Sequence, residues 1–278
     1  MAKLNIDSTI RLPSGGQLPR LGFGVYQINP GETKDVVLEA LRAGYRHIDT
    51  AQAYENEEEV GQAMRESGIP RSEIFITTKI PSENYNYEKA KKAIDISLKR
   101  LGTSYIDLFL IHEPIAGKAV RLQIWKAFVE AKRAGKVRDI GVSNFNTYHI
   151  EELKAAGYEL PAVDQVELHP LDQQRPIVDY CKKNGIAVEA YSPLIRARFD
   201  IPTLQSLVRK YNKGPAQILV RWSLQKGFVP LPRSSNATRI RENADVYDFE
   251  LSLSDIRALD ALDKGDAGAI TWNPINVP

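Results

Sequence analysis

Side chains capable of proton chemistry stand where several predicted strands end. Asp49, Lys79 and His112 each close a run of apolar or β-branched residues, and Tyr54 follows shortly after the first of them. Carboxylates, ammonium groups, imidazoles and phenols donate, accept or position protons in catalysis. Each residue also has an ordinary explanation: a helix cap for the aspartate, a surface position for the lysine and a structural hydrogen bond for the histidine. Only their convergence at one place would indicate a functional site.

The elements that carry these residues repeat about every 30 residues, the size of one strand–helix–strand unit. A short strand-like run alternates with a longer segment that has apolar residues at three- and four-residue spacing. This alternation predicts a parallel sheet, and eight units predict a closed (β/α)8 barrel of the TIM type, in which all strands end at one rim. The predicted strands are Leu21–Phe23, Arg46–Asp49, Ile74–Thr78, Ile106–Ile111, Val137–Val142, Val163–Glu167, Ala187–Ala190 and Phe228–Leu231. The predicted helices are Thr33–Ala43, Glu57–Ser67, Tyr87–Leu101, Leu122–Ala134, Thr147–Ala156, Arg175–Asn184, Thr203–Tyr211 and Pro215–Gln225.

Two additions frame the predicted barrel. Thr9–Pro19, with Ser14-Gly15-Gly16 at its centre, predicts an N-terminal β-hairpin that plugs the barrel bottom. Ser254–Lys264 predicts an extra C-terminal helix. No Pro/Gly/Ser-rich linker divides the chain, so we expect one domain over residues 1–278.

Composition excludes several classes of protein. Among the 278 residues, 37 Lys and Arg against 35 Asp and Glu leave a net charge of +2, too small for a nucleic-acid or anionic-membrane partner. No apolar stretch reaches transmembrane length, and the N-terminus does not resemble a signal peptide. The single cysteine, Cys181, excludes an internal disulfide and is expected to pack in the core. A cytoplasmic protein is expected.

Some polar residues are interpreted as structural. The acidic run Glu55–Glu59 invites a metal, but a solvated first helical turn is the favoured interpretation, so no metal is predicted. His47 and His169 are expected to make structural hydrogen bonds. His149, early in a predicted helix, is expected at the surface.

Three motifs carry a resemblance to a known family. The segment from Gly44 to Gly61, which contains Gly-Tyr-Arg-His-Ile-Asp-Thr-Ala, is similar to the first signature of the aldo-keto reductases. Gly141–Phe145 and Leu231–Ser234 resemble two further motifs of that family. The resemblance extends from about Thr9 to Asp263 and is greatest to the microbial group of diketogluconate reductases and prostaglandin F synthase-like enzymes. It implies reduction of aldehydes and ketones to alcohols by hydride transfer from NADPH.

The resemblance also implies a catalytic tetrad of Asp49, Tyr54, Lys79 and His112. In it Tyr54 is the general acid, and the ammonium of Lys79 lowers the pKa of the phenol. Asp49 keeps Lys79 charged, and His112 orients the carbonyl oxygen. None of these roles needs a metal.

The cofactor is expected to lie across the barrel mouth. No Gly-x-Gly-x-x-Gly fingerprint follows a predicted strand, so a Rossmann-type site is not indicated. Arg233 and Arg239, beside a predicted helix start, favour the 2′-phosphate of NADPH over NADH, although surface arginines remain an alternative. The cofactor contacts that the resemblance implies are Gly24, Val25, Tyr26, Asp49, Ser143, Asn144, Gln165, Tyr191, Ser192, Pro193, Leu194, Arg233, Ser234, Ser235, Asn236, Arg239, Glu242 and Asn243.

The substrate pocket is less well defined. The short loop Ile195–Ile201 and a short tail indicate an open pocket for varied small carbonyl compounds. Each aromatic candidate has an alternative interpretation, a position on the rim without substrate contact. Two other functions remain open: a cofactor-binding accessory module with little turnover, and a Schiff-base aldolase acting through Lys79. A monomer is the usual state in the family. The predicted substrate contacts are Tyr26, Tyr54, Tyr85, His112 and Trp272.

Overall fold

Eight parallel strands form the centre of the computed structural model, which describes residues 3–81 and 86–278. Each pairs with the next strand along the chain. The amides of Gly22 and Gly24 donate to the carbonyls of Pro230 and Pro232, both at 3.1 Å, so the first and last strands meet. The predicted (β/α)8 barrel is therefore confirmed. The strands are β3 (Phe23–Gly24), β4 (His47–Asp49), β5 (Phe75–Ile80), β6 (Ile106–Ile111), β7 (Val137–Ser143), β8 (Val163–Glu167), β9 (Ala187–Tyr191) and β10 (Val229–Pro230).

Helices surround the barrel, and each presents an apolar stripe to the strands. On the helix Lys118–Arg133, Trp125 and Phe128 are fully buried, and Phe128 packs edge-on against Phe109 of β6. Burial of such stripes is the main force that holds helices on a sheet. The helices are α1 (Thr33–Arg42), α2 (Glu57–Glu66), α3 (Tyr87–Leu101), α4 (Lys118–Arg133), α5 (Thr147–Ala155), α6 (Arg175–Lys183), α7 (Pro202–Tyr211), α8 (Pro215–Gln225), α9 (Ala237–Ala244) and α10 (Leu253–Asp260).

The predicted N-terminal hairpin is confirmed. Strands β1 (Thr9–Arg11) and β2 (Gln17–Pro19) pair antiparallel, and Leu18 is buried in one cluster with Leu108 and Leu110 of the barrel interior. The turn between them is fixed to the barrel because the Ser14 hydroxyl donates to Asp139 of β7. The hairpin thus closes the end of the barrel opposite the strand ends.

Predicted and observed boundaries differ by a few residues. Helix α4 begins at Lys118, four positions before the predicted Leu122, because the positive φ of Gly117 (73°) breaks the chain there and allows the helix to start. Helix α10 begins one position before and ends four positions before the predicted Ser254–Lys264, and a short 3₁₀ turn, Gly265–Gly268, follows it. No helix among residues 3–81 and 86–278 is long and apolar enough to cross a membrane.

The C-terminal tail lies against α4 and α5. The Tyr148 hydroxyl donates to the Val277 carbonyl at 2.7 Å, and Arg121 donates to the carbonyl of Pro278 at 3.1 Å. His149 Nε2 lies 2.8 Å from the same Val277 carbonyl, and its ring is fully buried. The expectation of a surface His149 was therefore wrong, because the tail covers it.

Candidate functional site

Three of the four tetrad residues form one hydrogen-bonded chain at the carboxyl ends of β4 and β5. Lys79 Nζ donates to Asp49 Oδ1 at 2.7 Å and to the Thr50 carbonyl at 2.9 Å. The same Nζ lies 3.3 Å from the Tyr54 hydroxyl oxygen. Lys79 is fully buried and Asp49 is 4% exposed. The structure thus brings together the residues that the strand ends predicted.

His112 completes the group from the end of β6. Its ring packs edge-on against Tyr54, with 5.7 Å between the ring centroids. Burial and the neighbouring Lys79 ammonium lower the pKa of His112 to about 3, so the imidazole is neutral at physiological pH. A neutral ring can donate one hydrogen bond toward the mouth without adding charge.

Tyr54 is positioned by a turn, not by a strand. It ends a 3₁₀ helix, Gln52–Tyr54, that leaves the barrel directly after β4. The Gln52 amide fixes this turn by donating to the Ala93 carbonyl and the Ser97 hydroxyl of α3, at 2.5 and 2.7 Å. Glu55 then takes a positive φ of 57° and returns the chain toward α2. Gln52 is thus an anchor that the sequence analysis missed, since its partners lie far along the chain.

The phenol has an unusually high pKa. Burial raises the pKa of Tyr54 to about 12. The ammonium of Lys79 lowers this pKa and offsets only part of the burial effect, whereas the charge of Asp49 raises the pKa further. Lys79 lowers the pKa of Tyr54 as expected, but the expectation of a lowered net pKa was wrong, because burial outweighs the contribution of Lys79. Burial also opposes the charge on Lys79, but Asp49 and Tyr54 outweigh it, so the pKa of Lys79 is raised. In this state Tyr54 keeps its proton and Lys79 its charge.

Beside the tetrad, four predicted cofactor residues form a second polar group. The Ser143 hydroxyl donates to the Gln165 carbonyl at 2.8 Å. Asn144, at a positive φ of 62°, donates from Nδ2 to the His112 carbonyl at 3.1 Å and accepts from the Tyr191 hydroxyl at 2.9 Å. These contacts fix the orientation of the amide and phenol groups.

Gln165 links this second group to the tetrad. Its Nε2 donates to Asp49 Oδ2 at 2.8 Å and to Glu189 Oε2 at 2.6 Å. Glu189, on β9, is fully buried. Glu189 lies within the predicted strand Ala187–Ala190, but the sequence analysis gave it no role. The sequence did contain a signal for Glu189. It is a charged residue in a buried strand, two positions before Tyr191 and therefore on the same face of the strand.

The predicted adenosine end is more open. Arg233 donates from Nε to the Tyr26 carbonyl at 2.9 Å, and its Nη2 donates to the carbonyl of Gln27, so it joins the loops after β3 and β10. Asn236 caps α9 by accepting from the Arg239 amide at 3.0 Å. The predicted contacts here divide by burial: Ser234 and Asn243 are buried, whereas Arg233, Ser235, Asn236, Arg239 and Glu242 are exposed.

The other predicted cofactor residues line the remaining rim. Gly24 and Val25 are buried at the end of β3, and the Val25 carbonyl accepts from Asn56 Nδ2 at 3.1 Å. Ser192 has a positive φ of 52° directly after β9, and it precedes the buried Pro193 and the half-buried Leu194.

The predicted substrate residues are only partly brought together. Tyr26 packs on Tyr54 with 4.9 Å between the ring centroids, and Tyr26 itself is 52% exposed. Trp272 is 64% exposed, and among the described residues it makes no ring contact with Tyr54 or His112. Tyr85 lies outside the described residues.

Glu167 holds the segment that carries Trp272. Its carboxylate accepts from the amide of Ile270 at 2.6 Å, and from the amide of Thr271 at 3.0 Å. The carboxylate also accepts from the Thr271 hydroxyl, and His169 Nε2 lies 2.8 Å from its Oε1. The expected structural bond of His169 is thus present, as is that of His47, whose Nε2 lies 2.9 Å from the Thr77 hydroxyl. Glu167 was another residue that sequence alone did not single out.

The acidic run at the start of α2 is only partly solvated. Glu57 is buried, accepts from the Thr78 hydroxyl at 2.7 Å and lies 3.4 Å from Arg100 Nη1. The solvated interpretation was therefore wrong for Glu57, because its side chain turns toward β5. In residues 3–81 and 86–278 no group of three or more Asp, Glu, His or Cys side chains has the arrangement to hold a metal ion.

Comparison with known proteins gives this geometry a family. The sequence profile of the Aldo/keto reductase family matches residues 20–264. The chain is 44% identical over 264 residues to glyoxal reductase of Bacillus subtilis (strain 168), an alignment that covers 94% of this chain and 95% of the relative. It is also 44% identical over 260 residues to 9,11-endoperoxide prostaglandin H2 reductase of Trypanosoma cruzi, with 92% and 91% covered.

A solved structure agrees. The Bombyx mori aldo-keto reductase, determined in complex with NADP, superposes with a TM-score of 0.89 at 36% identity and 97% coverage of both chains. Fold and site together define an oxidoreductase built on a (β/α)8 barrel. The chain belongs to the aldo/keto reductase family.

Proposed function

We propose that the protein reduces aldehydes and ketones to alcohols with NADPH, and that Tyr54 is the general acid. The observation that carries the proposal is the chain from Asp49 through Lys79 to the Tyr54 hydroxyl, with steps of 2.7 and 3.3 Å. A buried ammonium beside a phenol stabilises the tyrosinate that remains once the proton has left.

The residues along the rim fit the parts of a nicotinamide dinucleotide. The amides of Asn144 and Gln165 and the hydroxyl of Ser143 match the donors and acceptors of a carboxamide. The start of α9, with Arg233 and Arg239 nearby, suits an anionic phosphate. When bound there, NADPH supplies the hydride that adds to the carbonyl carbon.

The chain's own residues complete the reaction. As the carbonyl oxygen gains charge, Tyr54 transfers its proton to it, and the product is the neutral alcohol. A pKa near 12 keeps Tyr54 protonated beforehand, and an alkoxide is a far stronger base than tyrosinate, so the transfer is favourable. The neutral His112 donates a hydrogen bond that orients the carbonyl oxygen. Solvent then returns a proton to Tyr54.

A preference for NADPH over NADH is supported by charge at the adenosine end. Arg239 is exposed at the first turn of α9, where a 2′-phosphate would gain a charge-assisted hydrogen bond. Arg233 is already bonded to two carbonyls of the neighbouring loop, so we assign it mainly to joining the loops and Arg239 to the phosphate.

The substrates are proposed to be small carbonyl compounds. The mouth holds the exposed Tyr26 over Tyr54, and the short segment after β9 leaves it open. A relative named for glyoxal supports small aldehydes as the first candidates. We also propose a single catalytic domain that acts as a cytoplasmic monomer and binds neither nucleic acid nor membrane.

The first test is a panel of small aldehydes and ketones with NADPH, in which absorbance follows oxidation of the cofactor. The second test is a fluorescence titration of the protein with NADPH and with NADH. Turnover of several aldehydes and tighter binding of NADPH than NADH are expected. Tight NADPH binding with no oxidation by any compound would support an accessory binding module instead. Trapping of a substrate on Lys79 by borohydride would support the aldolase.

A further inference from the structure

A carboxyl group that the proposed mechanism does not use lies directly behind the tetrad. Glu189 is fully buried in the barrel, where its Oε2 accepts from Gln165 Nε2 at 2.6 Å. The same nitrogen donates to Asp49 Oδ2 at 2.8 Å. An amide nitrogen carries two hydrogens, so both are committed to carboxyl oxygens. Gln165 therefore has only its oxygen left for a ligand and can act toward it only as an acceptor.

The chain of contacts continues to the phenol. Asp49 uses Oδ2 for Gln165 and Oδ1 for Lys79, and Lys79 reaches Tyr54. Glu189 and Asp49 thus hold the Gln165 amide between them, and the amide fixes one oxygen of the carboxylate that holds Lys79. Displacement of Gln165 would let Asp49 rotate and would move the Lys79 ammonium relative to the Tyr54 oxygen.

Charge decides the state of Glu189. The groups that face it are Asp49 and His47 from β4 and Lys79 from β5. His47 Nε2 lies 3.7 Å from Glu189 Oε1, and burial lowers the pKa of His47 to about 3, so this ring is neutral. The charge of Lys79 balances that of the Asp49 carboxylate, so an ionised Glu189 would be an uncompensated buried charge.

We propose that Glu189 is a positioning residue of the reductase: a neutral carboxylic acid that fixes the Gln165 amide and, through it, the Asp49–Lys79 pair. Its kinetic consequences rest on the proposed function, whereas its charge state does not. Burial and the charge of Asp49 raise the pKa of Glu189, in agreement with a protonated side chain near neutral pH.

A prediction about pH follows from this role. When Glu189 ionises, the added negative charge attracts Lys79 away from the phenol and opposes formation of tyrosinate. Carbonyl reduction by the wild type should therefore lose about tenfold in kcat as pH rises from about 6 to about 9, with KM for the carbonyl compound little changed.

Substitution by an uncharged residue of the same shape separates the two roles. Glu189→Gln should keep kcat near the wild-type value at pH 7 and remove the decline at higher pH. Glu189→Met, which lacks the acceptor, should lower kcat about tenfold at every pH, because Gln165 is released. Glu250→Gln, at an exposed glutamate, is the matched control and should retain the wild-type profile. Identical pH profiles for wild type and Glu189→Gln would overturn the proposal.

A second measurement is independent of turnover. A carboxyl whose pKa is raised on folding stabilises the fold at low pH, and this contribution is lost as pH rises through the raised pKa. The Tm of the wild type without ligand should fall more steeply than that of Glu189→Gln between about pH 5 and about pH 8, the range between the unfolded and the raised pKa of the carboxyl. Equal slopes would show that Glu189 is not neutral in the native protein. Different slopes in a protein that reduces no carbonyl compound would refute the proposed function and leave the assignment of charge intact.

Discussion

The two ends of the proposed cofactor site are built differently. At the ends of β4 and β5, Asp49 and Lys79 are buried and hydrogen-bonded to each other, and Lys79 also reaches the Tyr54 hydroxyl. In the loop after β10, Arg239 and Ser235 are exposed, and the fixed contacts are made by Arg233 and Asn236 to the backbone. The difference teaches that contacts within the chain hold the proton-transfer geometry, whereas the adenosine end presents exposed side chains to a ligand.

The largest expected effect removes the acid itself. Tyr54→Phe keeps the ring packing on Tyr26 and His112 but has no proton to transfer. We expect kcat for carbonyl reduction to fall by at least about 10²–10⁴-fold, with NADPH affinity close to unchanged. Steady-state kinetics and fluorescence titration measure the two quantities. Tyr180→Phe, which removes a surface hydroxyl bonded to Glu151, is the control and should retain full activity. Substantial reductase activity in Tyr54→Phe would refute the acid assignment.

Next in size is the stability of the buried pair. Lys79→Met leaves the Asp49 carboxylate buried without its cation, and breaking such a pair costs about 3–5 kcal/mol of unfolding free energy. Chemical denaturation at neutral pH measures the loss. Arg239→Ala, at the exposed end, should stay within about 0.5 kcal/mol of the wild type. Similar losses for both variants would remove the contrast between the two regions.

The smallest effect concerns the cofactor alone. Arg239→Ala should weaken NADPH binding about tenfold, the value of one charge-assisted hydrogen bond, and leave NADH binding unchanged. Titration of both cofactors with the wild type and the variant provides the comparison. Equal weakening of the two would mean that Arg239 does not contact a 2′-phosphate.

Sequence reasoning predicted most of the barrel because strand–helix alternation is a local property of the chain. It also predicted that Asp49, Lys79 and His112 would meet at one rim, since the ends of parallel strands in a closed barrel lie together, whereas their assignment as a tetrad with Tyr54 came from the resemblance. Asp49 and Lys79 needed only their places at the ends of β4 and β5.

The residues that were missed or misjudged depend on partners far along the chain. Gln52 bonds to α3, Glu167 holds the tail, and His149 is covered by it. The net pKa of Tyr54 likewise depends on how deeply the phenol is enclosed, which a charge pattern does not reveal. Burial and distant pairing are properties of the closed fold, so a single sequence gave no local signal for them.

The junction between the first and last strands has a further consequence. Pro230 and Pro232 accept hydrogen bonds from Gly22 and Gly24 but, as prolines, return none, so bonding across this seam runs in one direction. In a regular parallel pair of strands, both strands contribute amide donors. Arg233 adds side-chain donors at this seam, because its guanidinium donates to the carbonyls of Tyr26 and Gln27 on the other side. Thermal fluctuation should separate the first and last strands of the barrel before any other pair, next to Tyr26 where it packs on Tyr54.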